Sequence, residues 1–448
     1  MRENHFELLS PAGNYEKMVV AFRYGADAVY LAGKQFGMRS AADNFTVEEL
    51  HRACAYAHGL NKKIYLTCNT IPHMDEYPAL LNFLDEIKDA SFDGFICTDL
   101  GVIETIRQVI PDAEIHISTQ ASIMSPAAAK AYAALGVRRL VLARELTFPE
   151  IREIRKAVPD DVELEAFIHG SMCVSISGRC LLANALNGRD GNRGTCSQPC
   201  RWNYVLYEEK RPQFPIPIEQ TSEGTFIMSS KDMCTIDLIP ELLNSGITSF
   251  KIEGRMKSAY YVAVVTNTYR MAIDEYLKDP DHFAFRKEWQ DELDSVSHRT
   301  YGTGFYKVKP MDDPQLVDVC GYIREKAYYA IADNSDDVAY KDIREKLRSV
   351  GVSESCTDGK LYRFHQKNKI CSFENVEILS PYQVGRPVNI GQLWSDAGEP
   401  VDSAPHPDMG FWCRIPFEIH EGDIIRAGAS SGLVVRPPEK TIREVLNG

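Results

Sequence analysis

The pattern that predicts the fold is clearest in residues 63–99, which read KIYLTCNTIPHMDEYPALLNFLDEIKDASFDGFICTD. A short apolar run at 63–69 is followed by an amphipathic stretch at 77–90, which predicts a helix, and by a second apolar run at 94–99. Short runs that are apolar on both faces and alternate with helices are typical of parallel strands covered on both sides. We therefore interpret residues 63–99 as a strand–helix–strand unit of a parallel α/β fold.

The same unit is repeated on both sides of this stretch. Strand-like runs occur at 6–10, 28–33, 63–69, 94–99, 114–119, 139–144, 164–170 and 248–254. The helical stretches begin at capping residues or a first-turn proline and end at glycine, as at Asn14, Thr46, Ser125, Pro126, Gly25, Gly59 and Gly136. Eight strand–helix units favour a closed (β/α)8 barrel of the TIM type over an open doubly wound sheet. A further run at 225–230 leaves open which run supplies the eighth strand.

The composition changes along the chain in a way that predicts three regions. Residues 1–280 are predicted to form the barrel, with a cysteine-rich segment at 165–235 as an insertion. Residues 281–315 are charged and rich in turn-forming residues, which predicts a connector. Residues 316–448 contain short alternating runs separated by Gly and Pro, which predicts a small, mostly-β C-terminal domain with a helical insertion at 336–350.

Bulk composition limits the classes of function. The chain has 448 residues and a formal net charge of −13, which argues against a general nucleic-acid binder but is compatible with local recognition through a basic patch. The apolar runs are shorter than the roughly 20 residues of a membrane span, and the first residues do not have the pattern of a signal peptide. We therefore predict a cytoplasmic protein with no membrane partner, whose cysteines are mostly thiols.

The cysteine-rich segment contains the strongest chemical signal. Its residues 165–200 read EAFIHGSMCVSISGRCLLANALNGRDGNRGTCSQPC and are too rich in glycine and polar residues to bury a core of their own. The spacing matches neither a zinc ribbon nor a compact ferredoxin, but four thiolates from separate loops can enclose a [4Fe–4S] cluster. We predict an iron–sulfur site, with zinc as the alternative. The cysteines concerned are Cys173, Cys180, Cys196, Cys200 and Cys234.

In a barrel of this type the active site lies where strands end and helices begin. Glu253 and Arg255 are two residues apart, so on a strand they would share a face and could bind an anionic small molecule; a structural ion pair is the alternative. His169 is a candidate general base or hydrogen-bond donor, or a structural histidine. The residues predicted to bind substrate at the strand ends are Arg39, Asn69, Gln120, Glu145 and Lys231, and those that make the cysteine-rich segment locally basic are Arg179, Arg189, Arg193 and Arg201.

Four stretches of the chain resemble a known family. They are ELLSPAG (7–13), EAFIHGSMCVSISGRC (165–180), GTCSQPCRW (194–202) and SFKIEGRMKSAYYVA (249–263), and they resemble the collagenase-like peptidase family over nearly the whole chain. The C-terminal stretch that begins with VEILSP (376–381) resembles the branch of that family that acts in 5-hydroxylation of the wobble uridine of tRNA. One departure is Ala183, where the family pattern has serine.

This resemblance implies a specific chemistry. Several family members are oxygen-independent hydroxylases that bind a [4Fe–4S] cluster and are linked to prephenate as the oxygen donor. Carried over to this sequence, the metal ligands would be Cys173, Cys180, Cys196 and Cys234, with Cys200 as a substitute. The implied partners are tRNA and a small dicarboxylate donor, and the sequence is compatible with a homo- or hetero-oligomer. The older family label implies the alternative activity, a peptidase, either with or without a metal.

Overall fold

The computed structural model describes residues 6–38, 43–173, 177–178, 180, 182–189, 195–201, 220–221, 224–225, 230–309, 322–353, 355–356 and 359–428. The chain forms two compact units. Within the described residues, the first contains the chain up to Phe285 together with His298–Ile323, and the second contains Arg286–Ser297 and the residues from Arg324 to Gly428. Residues 281–315, predicted as a connector, are thus divided between the two units.

The first unit contains twelve strands and nine helices within the described residues. The strands are β1 (Glu7–Pro11), β2 (Ala28–Leu31), β3 (Lys63–Cys68), β4 (Gly94–Cys97), β5 (Ile115–Ile117), β6 (Arg139–Val141), β7 (Glu163–Ser171), β8 (Gln220–Thr221), β9 (Gly224–Thr225), β10 (Asp232–Cys234), β11 (Ser249–Ile252) and β12 (Tyr301–Gly302). The helices are α1 (Tyr15–Arg23), α2 (Val47–Gly59), α3 (Tyr77–Ile87), α4 (Leu100–Val109), α5 (Pro126–Ala134), α6 (Phe148–Ala157), α7 (Leu182–Asn187), α8 (Ile239–Leu243) and α9 (Ala259–Lys278).

Eight of these strands close into a parallel barrel. Strands β1 to β7 pair in order, each parallel to the next, and β11 pairs in parallel with both β7 and β1. The predicted (β/α)8 barrel is therefore confirmed, and its eighth strand comes from the run at 248–254. The competing run at 225–230 lies mostly outside the described residues. The described strand that follows it, β10, pairs antiparallel with the end of β7 and so extends the sheet without joining the parallel barrel.

The helix starts follow the capping pattern of the sequence. The side chains of Asn14, Thr46 and Ser125 accept hydrogen bonds from backbone N–H groups in the first turns of α1, α2 and α5, as predicted. Gly25 and Gly136 follow α1 and α5 with positive φ angles of 102° and 71°, which a residue with a side chain rarely adopts. Gly59 instead is the last residue of α2, and the left-handed conformation beyond that helix is taken by Asn61 at φ 55°.

The N-terminal end of the barrel interior is filled by a buried ionic network. The guanidinium of Arg139 lies 2.7 Å from the Glu7 carboxylate and 3.1 Å from that of Glu165, and Lys251 Nζ lies 2.7 Å from Glu165. Burial alone would raise the pKa of Glu7, but Arg139 lowers it to about 2, so both charges persist inside the barrel. This packed end leaves the opposite, C-terminal end of the strands for chemistry.

The second unit is an antiparallel β domain with two helices in its described part. Its strands are β13 (Lys326–Ala332), β14 (Ser355–Cys356), β15 (Gly359–Gln366), β16 (Ile370–Cys371), β17 (Asn375–Leu379), β18 (Arg386–Asn389), β19 (Leu393–Ser395), β20 (Pro400–Val401), β21 (Ser403–Ala404), β22 (Gly410–Ile415) and β23 (Ile424–Gly428), and its helices are α10 (Lys287–Asp294) and α11 (Lys341–Ser349). The main sheet has the order β18-β17-β23-β13-β15-β22-β19-β20. The predicted C-terminal β domain is confirmed, and α11 is the predicted helical insertion.

In the described part of the chain we find no helix that could span a membrane. Each helix there is either too short or too polar to cross a bilayer.

Candidate active site at the mouth of the barrel

The C-terminal ends of the barrel strands bring most of the predicted site residues to one opening, which we call the mouth. Asn69 follows β3, Gln120 follows β5, Glu145 follows β6 and Glu253 follows β11. His169 lies near the end of β7. Lys231 comes directly before β10, which pairs with that end of β7, and Arg39 lies outside the described residues. The mouth is therefore lined by amides, carboxylates and one imidazole.

Two amide side chains at the mouth are joined into a chain of hydrogen bonds. The backbone N–H of Met38 donates to Asn69 Oδ1 at 3.0 Å, and Asn69 Nδ2 donates to Gln120 Oε1 at 2.7 Å. The Ser118 hydroxyl also donates to Gln120 Oε1, at 3.3 Å. Strand β4 lies between β3 and β5 in the sheet, so the bond from Asn69 to Gln120 reaches over the end of β4 at the mouth.

The cysteine-rich segment is held against this amide pair. The Glu145 carboxylate accepts from the backbone N–H of Ser177 at 3.1 Å, and the Ser122 hydroxyl donates to the Ser177 carbonyl. Gly178 has a φ of 74°, and a Cβ at this position would lie 2.3 Å from the Gln120 carbonyl oxygen. Only glycine fits such a close approach. The contact that the structure gives to Glu145 is therefore an anchor for the segment, while its predicted role in substrate binding stays a prediction.

Glu253 is held at the mouth by β2 and β7. The Tyr30 hydroxyl lies 3.3 Å from Glu253 Oε2 and donates to the Ile252 carbonyl at 2.9 Å, and the backbone N–H of Glu253 donates to the His169 carbonyl at 2.9 Å. Gly170, with a φ of 113°, permits this approach because a Cβ there would lie 2.4 Å from the Glu253 carbonyl oxygen. Glu253 is half-buried, so its carboxylate is placed to contact a ligand in the mouth.

The expectation that Glu253 and Arg255 share one face of a strand is wrong. Strand β11 ends at Ile252, after a shift in its pairing with β7, and the chain then turns with a hydrogen bond from the Lys257 N–H to the Gly254 carbonyl. Because Arg255 lies beyond the end of β11, the alternation of side chains between the two faces of a strand does not determine the direction of its side chain. Its side chain is buried, and its carbonyl packs against Gly13 so closely that a Cβ there would lie 2.2 Å away.

His169 is buried in an aromatic cage. The ring centroids of Tyr261, Tyr269 and Tyr301 lie 6.0, 5.5 and 5.4 Å from its imidazole, and the Tyr269 hydroxyl lies 3.4 Å from Nδ1. Burial lowers the pKa of His169 to about 3, so the ring is neutral at physiological pH and a weak proton acceptor. Of the predicted roles, this environment favours a hydrogen-bonding or structural histidine over a general base.

The cysteines of the proposed metal site lie on and beside the cysteine-rich chain that leaves β7, and none of them is joined in a disulfide within the described residues. Cys173 and Cys196 are exposed, Cys180 and Cys200 are partly exposed, and Cys234 is buried opposite His169 in the β7–β10 pairing. The Gln198 N–H donates to Cys196 Sγ at 3.3 Å, a contact that iron–sulfur thiolates commonly accept.

The chemistry of these donors fits an iron–sulfur cluster, but their arrangement does not by itself define one. Over the described ranges, no group of three or more His, Cys, Asp or Glu side chains is gathered closely enough to hold a metal ion. The ligand set Cys173, Cys180, Cys196 and Cys234, with Cys200 as a substitute, therefore stays a prediction, as does the choice between iron–sulfur and zinc.

The base of the cysteine-rich segment is fixed by a buried ion pair that the sequence analysis missed. Arg299 Nη2 lies 2.6 Å from Asp232 Oδ1 and also donates to the Met172 carbonyl at 3.0 Å, and the Ser230 hydroxyl donates to the same carbonyl at 2.7 Å. These contacts clamp the chain directly before Cys173 to β10. Arg299 comes from a stretch predicted as a connector, so no local pattern connected it to the site.

Tyr30 and Ser118 were also missed as site residues. Tyr30 lies on β2 and donates to the Ile252 carbonyl, and Ser118 directly follows β5 and donates to Gln120 Oε1. The signal that could have found them is a polar tip at an alternating, inward position near a strand end.

The fold and the mouth define a class: a (β/α)8-barrel protein whose mouth is lined by amides and carboxylates and is contacted by Ser177 and Gly178 of a cysteine-rich segment. Comparison with known proteins then identifies the family. The chain belongs to peptidase family U32, because the model of that family matches residues 13–315 and the model of its C-terminal domain matches residues 346–426.

Three relatives indicate the range of activities in the family. A Bacillus subtilis (strain 168) protein named tRNA hydroxylation protein P1 is 36% identical over 422 residues, which cover 94% of each chain. An Escherichia coli (strain K12) protein named 23S rRNA 5-hydroxycytidine C2501 synthase is 36% identical over 276 residues, which cover 62% of this chain and 40% of the relative. A Porphyromonas gingivalis (strain ATCC BAA-308 / W83) protein named Collagenase is 31% identical over 338 residues, which cover 73% of this chain and 80% of the relative.

Proposed function

We propose that this protein is an RNA-modifying enzyme that hydroxylates carbon 5 of the wobble uridine of tRNA without molecular oxygen. The observation that carries the proposal is the similarity, over 94% of both chains, to a protein named for tRNA hydroxylation. A second relative is named for making 5-hydroxycytidine in ribosomal RNA, which supports RNA hydroxylation as the shared chemistry. The proposed location is the cytoplasm.

The proposed cofactor is a [4Fe–4S] cluster held by Cys173, Cys180, Cys196 and Cys234, with prephenate as the oxygen donor. The cluster would supply one-electron redox chemistry at the mouth. The chain's own residues would bind and orient the two substrates. Glu253 is half-buried at the mouth and would contact one of them, and Asn69 and Gln120 would contact the base.

The acidic charge of the protein is compatible with an RNA substrate. Unpaired anticodon bases are recognised by stacking and by contacts to their edges, which need few charges. A local concentration of arginines in the cysteine-rich segment, which includes the exposed Arg189, would meet the backbone phosphates.

The second candidate is a peptidase, which the relative named Collagenase favours. A peptidase of the nucleophilic type needs a base beside its nucleophile. The histidine at the mouth is His169, and its burial among tyrosines lowers its pKa to about 3, which makes it unsuited to that role. His169 therefore does not supply the base of a nucleophilic peptidase, and the similarity over 94% of both chains to a protein named for tRNA hydroxylation favours the first candidate.

The test is to purify the protein without oxygen and to measure its iron, sulfide and zinc content. The protein is then incubated with tRNA from a strain that lacks the enzyme, with and without prephenate, and the anticodon nucleosides are analysed by mass spectrometry. We expect about four irons per chain and a gain of one oxygen atom on the wobble uridine that depends on prephenate. Zinc in place of iron, with unchanged tRNA and cleavage of collagen-like peptides, would instead establish the peptidase.

A further inference from the structure

The orientation of the Gln120 amide is fixed by a backbone group. The backbone N–H of Met38 can only donate, so the Asn69 atom 3.0 Å from it is the acceptor Oδ1. Asn69 Nδ2 then faces Gln120, and the Gln120 atom 2.7 Å from it is the acceptor Oε1. The Ser118 hydroxyl donates to the same oxygen, so both lone pairs of Gln120 Oε1 are used. The other side of the amide carries only N–H donors.

The donor side of Gln120 is buried and lacks a protein acceptor. The side chain is 9% exposed, and in the described part of the chain Gln120 Nε2 makes no hydrogen bond. The hydroxyl of Thr67, one side-chain layer below Asn69 on β3, is likewise buried without a partner there. Buried polar groups in folded proteins are nearly always hydrogen-bonded, so the unpaired donor of Gln120, directly beyond the end of β5, points to a bound ligand.

The position of Gln120 connects this donor to the cysteine-rich segment. Gly178 packs on the Gln120 backbone, and Cys180 follows two residues later. A base edge that pairs with Gln120 Nε2 would therefore lie beside the segment that we propose to hold the cluster.

We infer that Gln120 selects uracil over cytosine at the mouth by donating a hydrogen bond to the group on carbon 4 of the pyrimidine. Uracil carries a carbonyl oxygen there, which accepts, whereas cytosine carries an amino group, which donates. With uracil the buried N–H of Gln120 is paired. With cytosine two sets of N–H donors would face each other, and both would stay unpaired away from water. This inference rests on the proposed function, since it specifies the base that the proposed hydroxylase accepts.

The first test exchanges the donor for an acceptor at nearly constant shape. Gln120→Glu keeps an oxygen for Asn69 and Ser118 and presents a second oxygen to the base. Two tRNA transcripts that differ only by uridine or cytidine at the wobble position are bound to the protein without the oxygen donor, and their dissociation constants are compared. In the wild type we expect uridine to be favoured by roughly 10- to 100-fold, and in Gln120→Glu we expect that ratio to fall to about one or to invert.

The matched control is Gln108→Glu, which makes the same change on the exposed outer surface of α4 and should leave the ratio at its wild-type value. A wild type without preference, or a Gln120→Glu variant that keeps the wild-type ratio, would overturn the inference. The group that Gln120 meets has a second possible source, a carboxylate of the oxygen donor. If Gln120→Glu leaves the ratio of the two transcripts unchanged but raises the KM of the oxygen donor with the uridine transcript, the acceptor is that carboxylate and the inference is wrong.

A second variant tests the relay without changing Gln120. In Asn69→Asp one oxygen still accepts from the Met38 N–H, and the other faces Gln120, so the Gln120 amide is expected to rotate and present Oε1 to the base. The ratio of the two transcripts should then shift in the same direction as in Gln120→Glu. A wild-type ratio in an Asn69→Asp protein with a wild-type melting temperature would contradict the relay. Failure of the proposed function is a separate result: unmodified tRNA in the wild-type assay, whatever the binding ratio.

Discussion

Arg139 shows what the barrel requires of a single residue. Its side chain is 2% exposed, and its guanidinium bonds the carboxylates of Glu7, Glu163 and Glu165. A buried ion pair adds little net stability, but removal of one partner leaves uncompensated charge in a medium of low polarity. Arg139 therefore matters for stability, because without it the carboxylates of Glu7, Glu163 and Glu165 would lose the positive charge that compensates them.

We expect Arg139→Met to lower the free energy of unfolding by about 3–5 kcal/mol, measured by denaturant titration. Arg138→Met is the matched control, because the neighbouring Arg138 is 44% exposed and its ion pair with Asp161 lies at the surface. That control should change the free energy of unfolding by less than about 1 kcal/mol. Equal losses in the two variants would show that the buried network is not what stabilises this end of the barrel.

His365 makes the stability of the second unit depend on pH. Its Nε2 lies 3.2 Å from Asp333 Oδ1, and this hydrogen bond raises the pKa of His365 above its usual value. A group whose folded pKa is raised stabilises the fold fully below the unfolded pKa of about 6.5, and this contribution is lost as pH rises through the folded pKa.

The wild type should therefore lose stability as the pH rises above about 6.5, whereas His365→Asn should lose less over the same interval. The measurement is the free energy of unfolding at several pH values, with His406→Asn, at an exposed position, as the control. The idea fails if wild type and His365→Asn have parallel pH profiles.

At the scale of elements, the cysteine-rich segment depends on one close approach. Gly178 and Gly188 have almost the same backbone conformation, with φ angles of 74° and 70°. A Cβ at Gly178 would lie 2.3 Å from the Gln120 carbonyl oxygen, whereas a Cβ at Gly188 would have no atom of the described residues within 4 Å. The two glycines thus separate the effect of steric clash from the effect of backbone strain.

Gly178→Ala is expected to detach the segment from the mouth, and Gly188→Ala is expected to add only strain of about 1 kcal/mol. Limited proteolysis should cleave the segment faster in Gly178→Ala than in Gly188→Ala, and iron retained after anaerobic reconstitution should fall in the former alone. The same cleavage rate in both variants would mean that the contact with Gln120 does not hold the segment.

The strands also show how much of the fold could be predicted from the sequence. All eight barrel strands were predicted, because a short strand that is apolar on both faces leaves a local signal. Local sequence patterns could not predict strand β10. Its position in the sheet is set by pairing with residues more than 60 positions earlier in the chain, as between Cys234 and His169. The error at Arg255 has the same cause: a change of register between β7 and β11 ended the strand.

At the scale of the whole molecule, the sequence analysis did not predict one helix of the connector. Residues 287–294 are rich in charge and read as part of a connector, but α10 belongs to the second unit. The reason is Glu292, whose carboxylate lies 2.6 Å from the fully buried Arg426. A pair separated by 134 positions has no signature in either local stretch, so the site contacts and unit limits that depend on such pairs could not be predicted.

The net charge of −13 sets a limit on how the protein can hold RNA. Each phosphate contact adds roughly 0.7 to 0.9 to the slope of log affinity against log salt concentration. Residues 165–201 of the cysteine-rich segment are locally basic and contain four arginines, so we expect a slope of about −3 to −4 for tRNA binding, well below that of a protein with many phosphate contacts. Arg189→Gln should weaken this slope by about one, while Arg52→Gln, on α2 at the outside of the barrel, should leave it unchanged. The measurement is the affinity for tRNA at salt concentrations between 50 and 300 mM, roughly the range over which such slopes are resolved. A much steeper slope that is insensitive to Arg189→Gln would place the RNA-binding charges elsewhere on the molecule.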